Sequence, residues 1–262
     1  MADIRPRRRG IYLLPTCFTI GNLFCGFFSL VQSSRLKFEQ AAILIVVAGI
    51  LDGLDGRIAR LTGTTSDFGL EFDSLADITS FGIAPGFLAY QWALLPLHRV
   101  GWLVAFLYVV CAAMRLARFN LQHRTGDKRF FAGLPSPAAA GVVACVAFAF
   151  PDASRAAWPS GLLAVAVVGC ALLMVSRIRY RSFKAFDLRS RRSYIYVLPL
   201  AAILVLIAIH PKLALLGFSW LYLVSGPVGS LFGLLWRGRP RPADRLNDLA
   251  EAEGVGDEPA LR

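Results

Sequence analysis

Metal-binding and redox side chains are scarce. The chain has 262 residues with three histidines and five cysteines. No two cysteines form a C-x-x-C pair, and Cys17, Cys25, Cys111, Cys145 and Cys170 all lie inside apolar runs. This excludes a thiolate zinc site and a disulfide framework, and predicts small buried hydrophobes. His98, His123 and His210 have no ligand partner in sequence. A clean small-residue cleavage site is also missing after the basic start, Met1 to Gly10. The apolar run from Ile11 continues to about Val31, so it is read as a first span with its N-terminus held inside.

Charge is sparse too, at 17% of residues, while 56% are hydrophobic and the mean hydropathy is +0.57. That composition excludes an ordinary soluble domain and predicts an all-α polytopic membrane bundle. Net charge is +11, which in a soluble protein would point to nucleic acid. Here the basic residues fall in short blocks between apolar runs, the pattern of loops facing anionic lipid headgroups, so no nucleic-acid partner is expected. About eight spans are predicted, near 11–34, 37–61, 67–95, 100–122, 132–150, 158–176, 194–210 and 213–236. With the N-terminus inside, only Arg35, Lys37, Arg99, Arg155 and Lys212 of the 28 basic residues fall in outer loops. The positive-inside rule therefore predicts an even number of spans with both termini cytoplasmic. Residues 1–236 form the membrane domain on this reading. Residues 237–262, rich in Arg, Pro and acidic residues, read as a disordered cytoplasmic tail.

Against this background, two apolar stretches carry carboxylates. Asp52, Asp55, Asp73 and Asp77 are spaced by 3, 18 and 4 residues. Ionisable groups at membrane depth are costly and mark functional sites. Read as helices, positions 52, 55, 56, 59 and 60 share one face, and 69, 73 and 77 share another. The short linker from Leu61 to Asp67 predicts an antiparallel hairpin in which the two acidic faces meet, at the cytoplasmic side.

Carboxylates without histidine or cysteine favour a hard divalent ion, Mg²⁺ or Mn²⁺, completed by water and phosphate oxygens. Two such ions stabilise an in-line phosphoryl displacement. Gly56 and Ala59 lie on the ligand face and leave room for a substrate, and Arg60 can hold a phosphate as a bidentate fork. The bland alternative is that the acids pair with Arg57 or Arg60 while the small residues pack helices. Four aspartates in register with Gly, Ala and Arg weigh against it. Asp67 reads as a helix N-cap, and Glu71 lies off the shared face.

The pattern Asp52-x2-Asp55-Gly56-x2-Ala59-Arg60-x8-Gly69-x3-Asp73-x3-Asp77 resembles the signature of the CDP-alcohol phosphatidyltransferases at every fixed position. The resemblance implies a six-helix membrane core, a CDP-linked lipid donor and a dinuclear Mg²⁺ or Mn²⁺ site on the four aspartates. It further implies Asp77 as general base, a CDP-lipid site including Asp52, Gly56, Ala59, Arg60 and Gly69, and a homodimer.

The motif leaves the acceptor alcohol open. The segment from Leu14 to Gly26, with Thr19 and Asn22, is similar to the first helix of serine-using bacterial and archaeal members. Glycerophosphate-using members carry Arg near position 22. One departure is Thr16, where the family usually has Asn after Pro. The runs Asp77 to Pro85, Arg115 to Asn120 and Phe131 to Pro137 resemble the same members. Serine brings a carboxylate that needs cationic donors, and Arg115 and Arg118 lie three apart at the cytoplasmic end of the fourth span. Asn120 either orients the acceptor or caps a helix, and Ser80 joins these as an acceptor-site candidate. The expected reaction is phosphatidyl transfer from CDP-diacylglycerol to L-serine in a prokaryotic cell membrane. The alternatives are glycerol 3-phosphate or inositol phosphate as acceptor, or a cation transporter with a carboxylate site.

Overall fold

The structure is a computed structural model that describes residues 13–62, 67–125, 133–152, 157–176, 178, 205–206 and 208–236. The basic start, the linker at 63–66, most of the basic segment from Arg177 to Arg192, most of the seventh predicted span and the tail lie outside the described residues. Among the described residues the chain is all-helical, without a strand. Helix α1 runs Leu13–Ser34, α2 Phe38–Thr62 and α3 Asp67–Asp77. A π-helical turn (Ile78–Ile83), α4 (Ala84–Ala89), a second π turn (Tyr90–Leu94) and a 3₁₀ turn (Leu95–Leu97) continue α3 without interruption. Helices α5 (His98–Thr125), α6 (Ser136–Ala149), α7 (Ala157–Val175) and α8 (Pro211–Trp236) follow. These coincide within a few residues with seven of the predicted stretches.

The chain reverses at two non-glycine residues with positive φ, Leu36 (58°) between α1 and α2 and His98 (48°) before α5. After His98, α5 runs back along the preceding helix. Gly101 packs on the backbone of Leu94, and Asn120 Nδ2 donates to Ser74 Oγ at 2.9 Å near the far end. Between them, Pro85 offers no N–H to the carbonyl of Phe81 four residues back. The buried hydroxyl of Tyr108 donates to that carbonyl at 3.3 Å. The irregular backbone is thus satisfied by its antiparallel neighbour, as a helix in an apolar medium requires.

Gly133, with φ +103°, leads into α6. Its N–H donates to the Ile178 carbonyl and that of Leu134 to the Leu173 carbonyl, both at 2.9 Å. A Cβ at Gly133 would collide with the Met174 carbonyl oxygen, so only glycine lets this strap lie on the end of α7. The strap therefore fixes where α6 begins, with Pro137 in its first turn.

Two cores hold the bundle. One gathers Leu94, Tyr108, Leu134, Val142 and Met174; the other gathers Phe38, Ile45, Phe81, Leu88 and Trp92. Cys25, Cys111, Cys145 and Cys170 are buried, as their apolar setting predicts, but Cys17 is exposed. Large apolar side chains also line the outside, among them Phe24, Phe27, Phe106, Leu162 and Val165. So much exposed apolar surface suits a hydrocarbon environment and identifies a membrane-embedded chain. Among the described residues, Pro15–Ser34 and the run Phe68–Leu121, folded back at His98, are long and apolar enough to cross a bilayer.

Candidate carboxylate site between α1, α2 and α3

Helix periodicity brings the aspartates together. Asp52 and Asp55 lie one turn apart near the end of α2, and Asp73 and Asp77 one turn apart near the end of α3. One carboxylate oxygen from each of Asp52, Asp55 and Asp73 lies within 4.8 Å of the others. At that separation two ionised carboxylates repel by about 3 kcal/mol at an effective dielectric of 20. A cation removes this repulsion. Asp73 Oδ1 is buried without a partner, a vacant hard-oxygen donor. The donor set and this orphaned oxygen fit a divalent ion of the Mg²⁺ or Mn²⁺ kind.

Asp77 lies outside that group of three but within interaction range of all of them. Asn22 Nδ2 of α1 donates to Asp77 Oδ1 at 3.2 Å. One turn earlier, Thr19 Oγ1 lies 3.1 Å from Asp55 Oδ2. Sequence reasoning gave neither residue a role. The signal was two polar residues three apart, on one face of a mostly apolar half-helix, but which aspartate each would meet depends on the helix crossing.

Gly56, Ala59 and Gly69 are partly buried on the helices that carry the aspartates. Arg60 stands on α2, and its side chain lies outside the described residues. Glu71 is exposed. Of the four acceptor-site candidates, Arg115 adjoins the cluster, within electrostatic reach of Asp77 and Asp52. Its Nη1 donates to Ser136 Oγ at 2.7 Å, so the first residue of α6 holds the guanidinium in place. Tyr222 of α8 is also beside it. Arg118 Nη1 donates to the Val175 carbonyl at 3.2 Å, at the end of α7, where a cation also complements the helix dipole. Asn120 bridges to Ser74. Ser80 is fully buried and donates to the Asn22 carbonyl at 2.9 Å, behind the cluster.

A cavity of about 600 Å³ opens at the opposite end of the bundle, between Trp92, Phe150, Leu162 and Lys212. Lys212 Nζ there pairs with Glu39 Oε1 at 2.6 Å, tying α8 to α2.

Fold and site together define an all-helical, membrane-embedded protein with an acidic centre gathered at one end of its helices. Residues 12–176, which span α1 to α7, match the family described as CDP-alcohol phosphatidyltransferase. The chain belongs to that family. It is similar to proteins named CDP-diacylglycerol--serine O-phosphatidyltransferase in several organisms. The protein from Helicobacter pylori (strain ATCC 700392 / 26695) is 42% identical over 223 residues, covering 85% of this chain and 92% of the relative. That from Bacillus subtilis (strain 168) is 34% identical over 171 residues, covering 65% and 91%. That from Methanocaldococcus jannaschii is 33% identical over 190 residues, covering 72% and 84%.

Proposed function

We propose that this chain transfers the phosphatidyl group of CDP-diacylglycerol to L-serine, giving phosphatidylserine and CMP. The observation that carries the chemistry is the convergence of Asp52, Asp55 and Asp73 within 4.8 Å, with Asp77 beside them. The serine acceptor is supported by the names of the relatives and by Asn22, where glycerophosphate users carry Arg.

In this reading the serine hydroxyl attacks the phosphorus bonded to diacylglycerol. The new O–P bond forms as the bond from that phosphorus to the bridging oxygen breaks, and CMP leaves. Asp77 takes the hydroxyl proton. Asp52, Asp55, Asp73 and Asp77 would hold Mg²⁺ or Mn²⁺, and two ions suit the reaction. Bound there, the metal would supply charge neutralisation for the pyrophosphate and the departing CMP. Asp52, Gly56, Ala59, Arg60 and Gly69 form the donor site, where Arg60 holds a phosphate and the small residues let the nucleotide approach α2. Arg115 receives the serine carboxylate, and Arg118 has free guanidinium donors to join it. Asn120 and Ser80 serve the acceptor site by bracing it.

We place residues 1–236 in the bilayer as the transferase domain, with eight spans around a six-helix core. Both termini, the tail 237–262 and the active site face the cytoplasm of a prokaryotic cell, and the chain pairs as a homodimer. The test is an acceptor panel with purified protein, CDP-diacylglycerol and Mn²⁺. Labelled serine is expected to enter lipid with equimolar CMP release. Use of glycerol 3-phosphate or inositol phosphate in place of serine refutes the acceptor assignment, and cation transport without CMP release refutes the reaction class.

A further inference from the structure

Helix α1 carries no carboxylate, yet it touches one aspartate from each acidic helix. Asn22 is fully buried, and its Nδ2 reaches Asp77 Oδ1 at 3.2 Å. Thr19, also buried, reaches Asp55 Oδ2 at 3.1 Å. Two features show that Asn22 is held where it is for more than packing. Its side-chain oxygen is buried without a partner, a cost that a core amide usually avoids. Its own carbonyl accepts the Ser80 hydroxyl at 2.9 Å, three residues beyond Asp77. Gly26, one turn further on, lets α1 approach to where a Cβ would lie 2.8 Å from Ser80 Cα. The height of Asn22 against Asp77 is therefore set from two sides.

We propose that Asn22 and Thr19 are positioning residues with separate duties: Asn22 orients Asp77 for proton transfer, and Thr19 orients Asp55 for metal binding. This rests on the reading of Asp77 as base and Asp55 as ligand. The Asn22 amide N–H holds Oδ1 of Asp77 and so fixes the plane of the carboxyl that takes the acceptor proton. The Thr19 hydroxyl holds Oδ2 of Asp55 and so fixes the carboxylate that ligates the ion. Thr19 Oγ1 also lies 3.1 Å from the Pro15 carbonyl. Its single proton is thus shared between the Pro15 carbonyl and the Asp55 carboxylate.

The test uses full-length protein with CDP-diacylglycerol and Mn²⁺, and measures kcat, KM for the lipid and Mn²⁺ binding by electron paramagnetic resonance. Asn22→Ala is expected to lower kcat about 10- to 100-fold, a share of what a positioned base supplies. Its lipid KM and Mn²⁺ affinity should stay within about twofold of wild type. Thr19→Val should weaken Mn²⁺ binding about tenfold, as loss of a hydrogen bond to a ligand does, with kcat restored at saturating Mn²⁺. Asn22→Leu keeps the bulk and removes the donor without adding a charge or a ligand, so it guards against a merely unfolded Ala variant and should lose kcat as far. If Asn22→Leu keeps full kcat, or if the Asn22 and Thr19 variants move the same parameter, the division of duties is wrong. If wild type itself releases no CMP with serine, the reading of the reaction falls with it.

Discussion

Arg115 is the residue through which serine specificity is most directly tested. It lies beside Asp77 and Asp52, and Ser136 Oγ fixes one of its guanidinium nitrogens at 2.7 Å. A hydrogen bond from such a cation to a carboxylate contributes about 1.5–3 kcal/mol. At 1.4 kcal/mol per decade, that is about 10- to 150-fold in affinity. Arg115→Ala should therefore raise KM for serine by a factor in that range while KM for CDP-diacylglycerol stays near wild type. Arg115→Lys keeps the charge but loses the planar fork, and should fall between the two. Ser136→Ala frees the guanidinium without removing it and should raise serine KM only severalfold, by about 1 kcal/mol. The assay is initial-rate kinetics in lipid nanodiscs, varying each substrate against saturating amounts of the other. A rise in the lipid KM with serine KM unchanged would refute the assignment and place Arg115 at the donor phosphates.

Three further predictions concern stability and metal. Asp73→Asn removes the repulsion of Asp73 with Asp52 and Asp55, so in EDTA it should unfold on the order of 5 °C above wild type, a gain of about 1–3 kcal/mol after screening. Adding Mn²⁺ should raise the melting temperature of wild type but not of this variant; a variant less stable than wild type in EDTA contradicts the account. Gly26→Ala pushes α1 from Ser80 and should cost about 1–3 kcal/mol in thermal unfolding, together with a loss of activity. Tyr108→Phe removes the buried hydroxyl's bond to the Phe81 carbonyl beside Pro85 and should destabilise the protein by about 1–2 kcal/mol with KM values unchanged.

What was legible in the sequence was local. Apolar runs located the helices, because a helix in lipid must satisfy its backbone internally and shows as an unbroken run. The 3.6-residue period put Asp52 beside Asp55 and Asp73 beside Asp77 before any tertiary contact was known. Contacts between distant segments were not legible. Arg118 reads with Arg115 as a cationic donor for the acceptor carboxylate, yet one of its nitrogens donates to the end of α7, 57 positions on. Ser80 follows Asp77 closely enough to suggest a role at the substrate, but π-helical winding after Asp77 changes the angular step per residue, and its hydroxyl ends behind the cluster on Asn22. Pro85 lies inside one predicted span, 67–95, and the helix does pass through it; what the sequence could not show is that Tyr108, on the antiparallel helix, donates to the carbonyl that Pro85 cannot serve.

The central claim is that Asp77 accepts the serine proton at a four-aspartate site whose other three members suffice to hold the metal and donor. Single-turnover CMP release by Asp77→Asn, measured beside equilibrium binding of CDP-diacylglycerol, tests it most directly. The account predicts that release falls by at least about 100-fold while lipid binding stays close to wild type, because Asp52, Asp55 and Asp73 remain in place. A loss of lipid binding as large as that of Asp52→Asn, or CMP release at the wild-type rate, would contradict it.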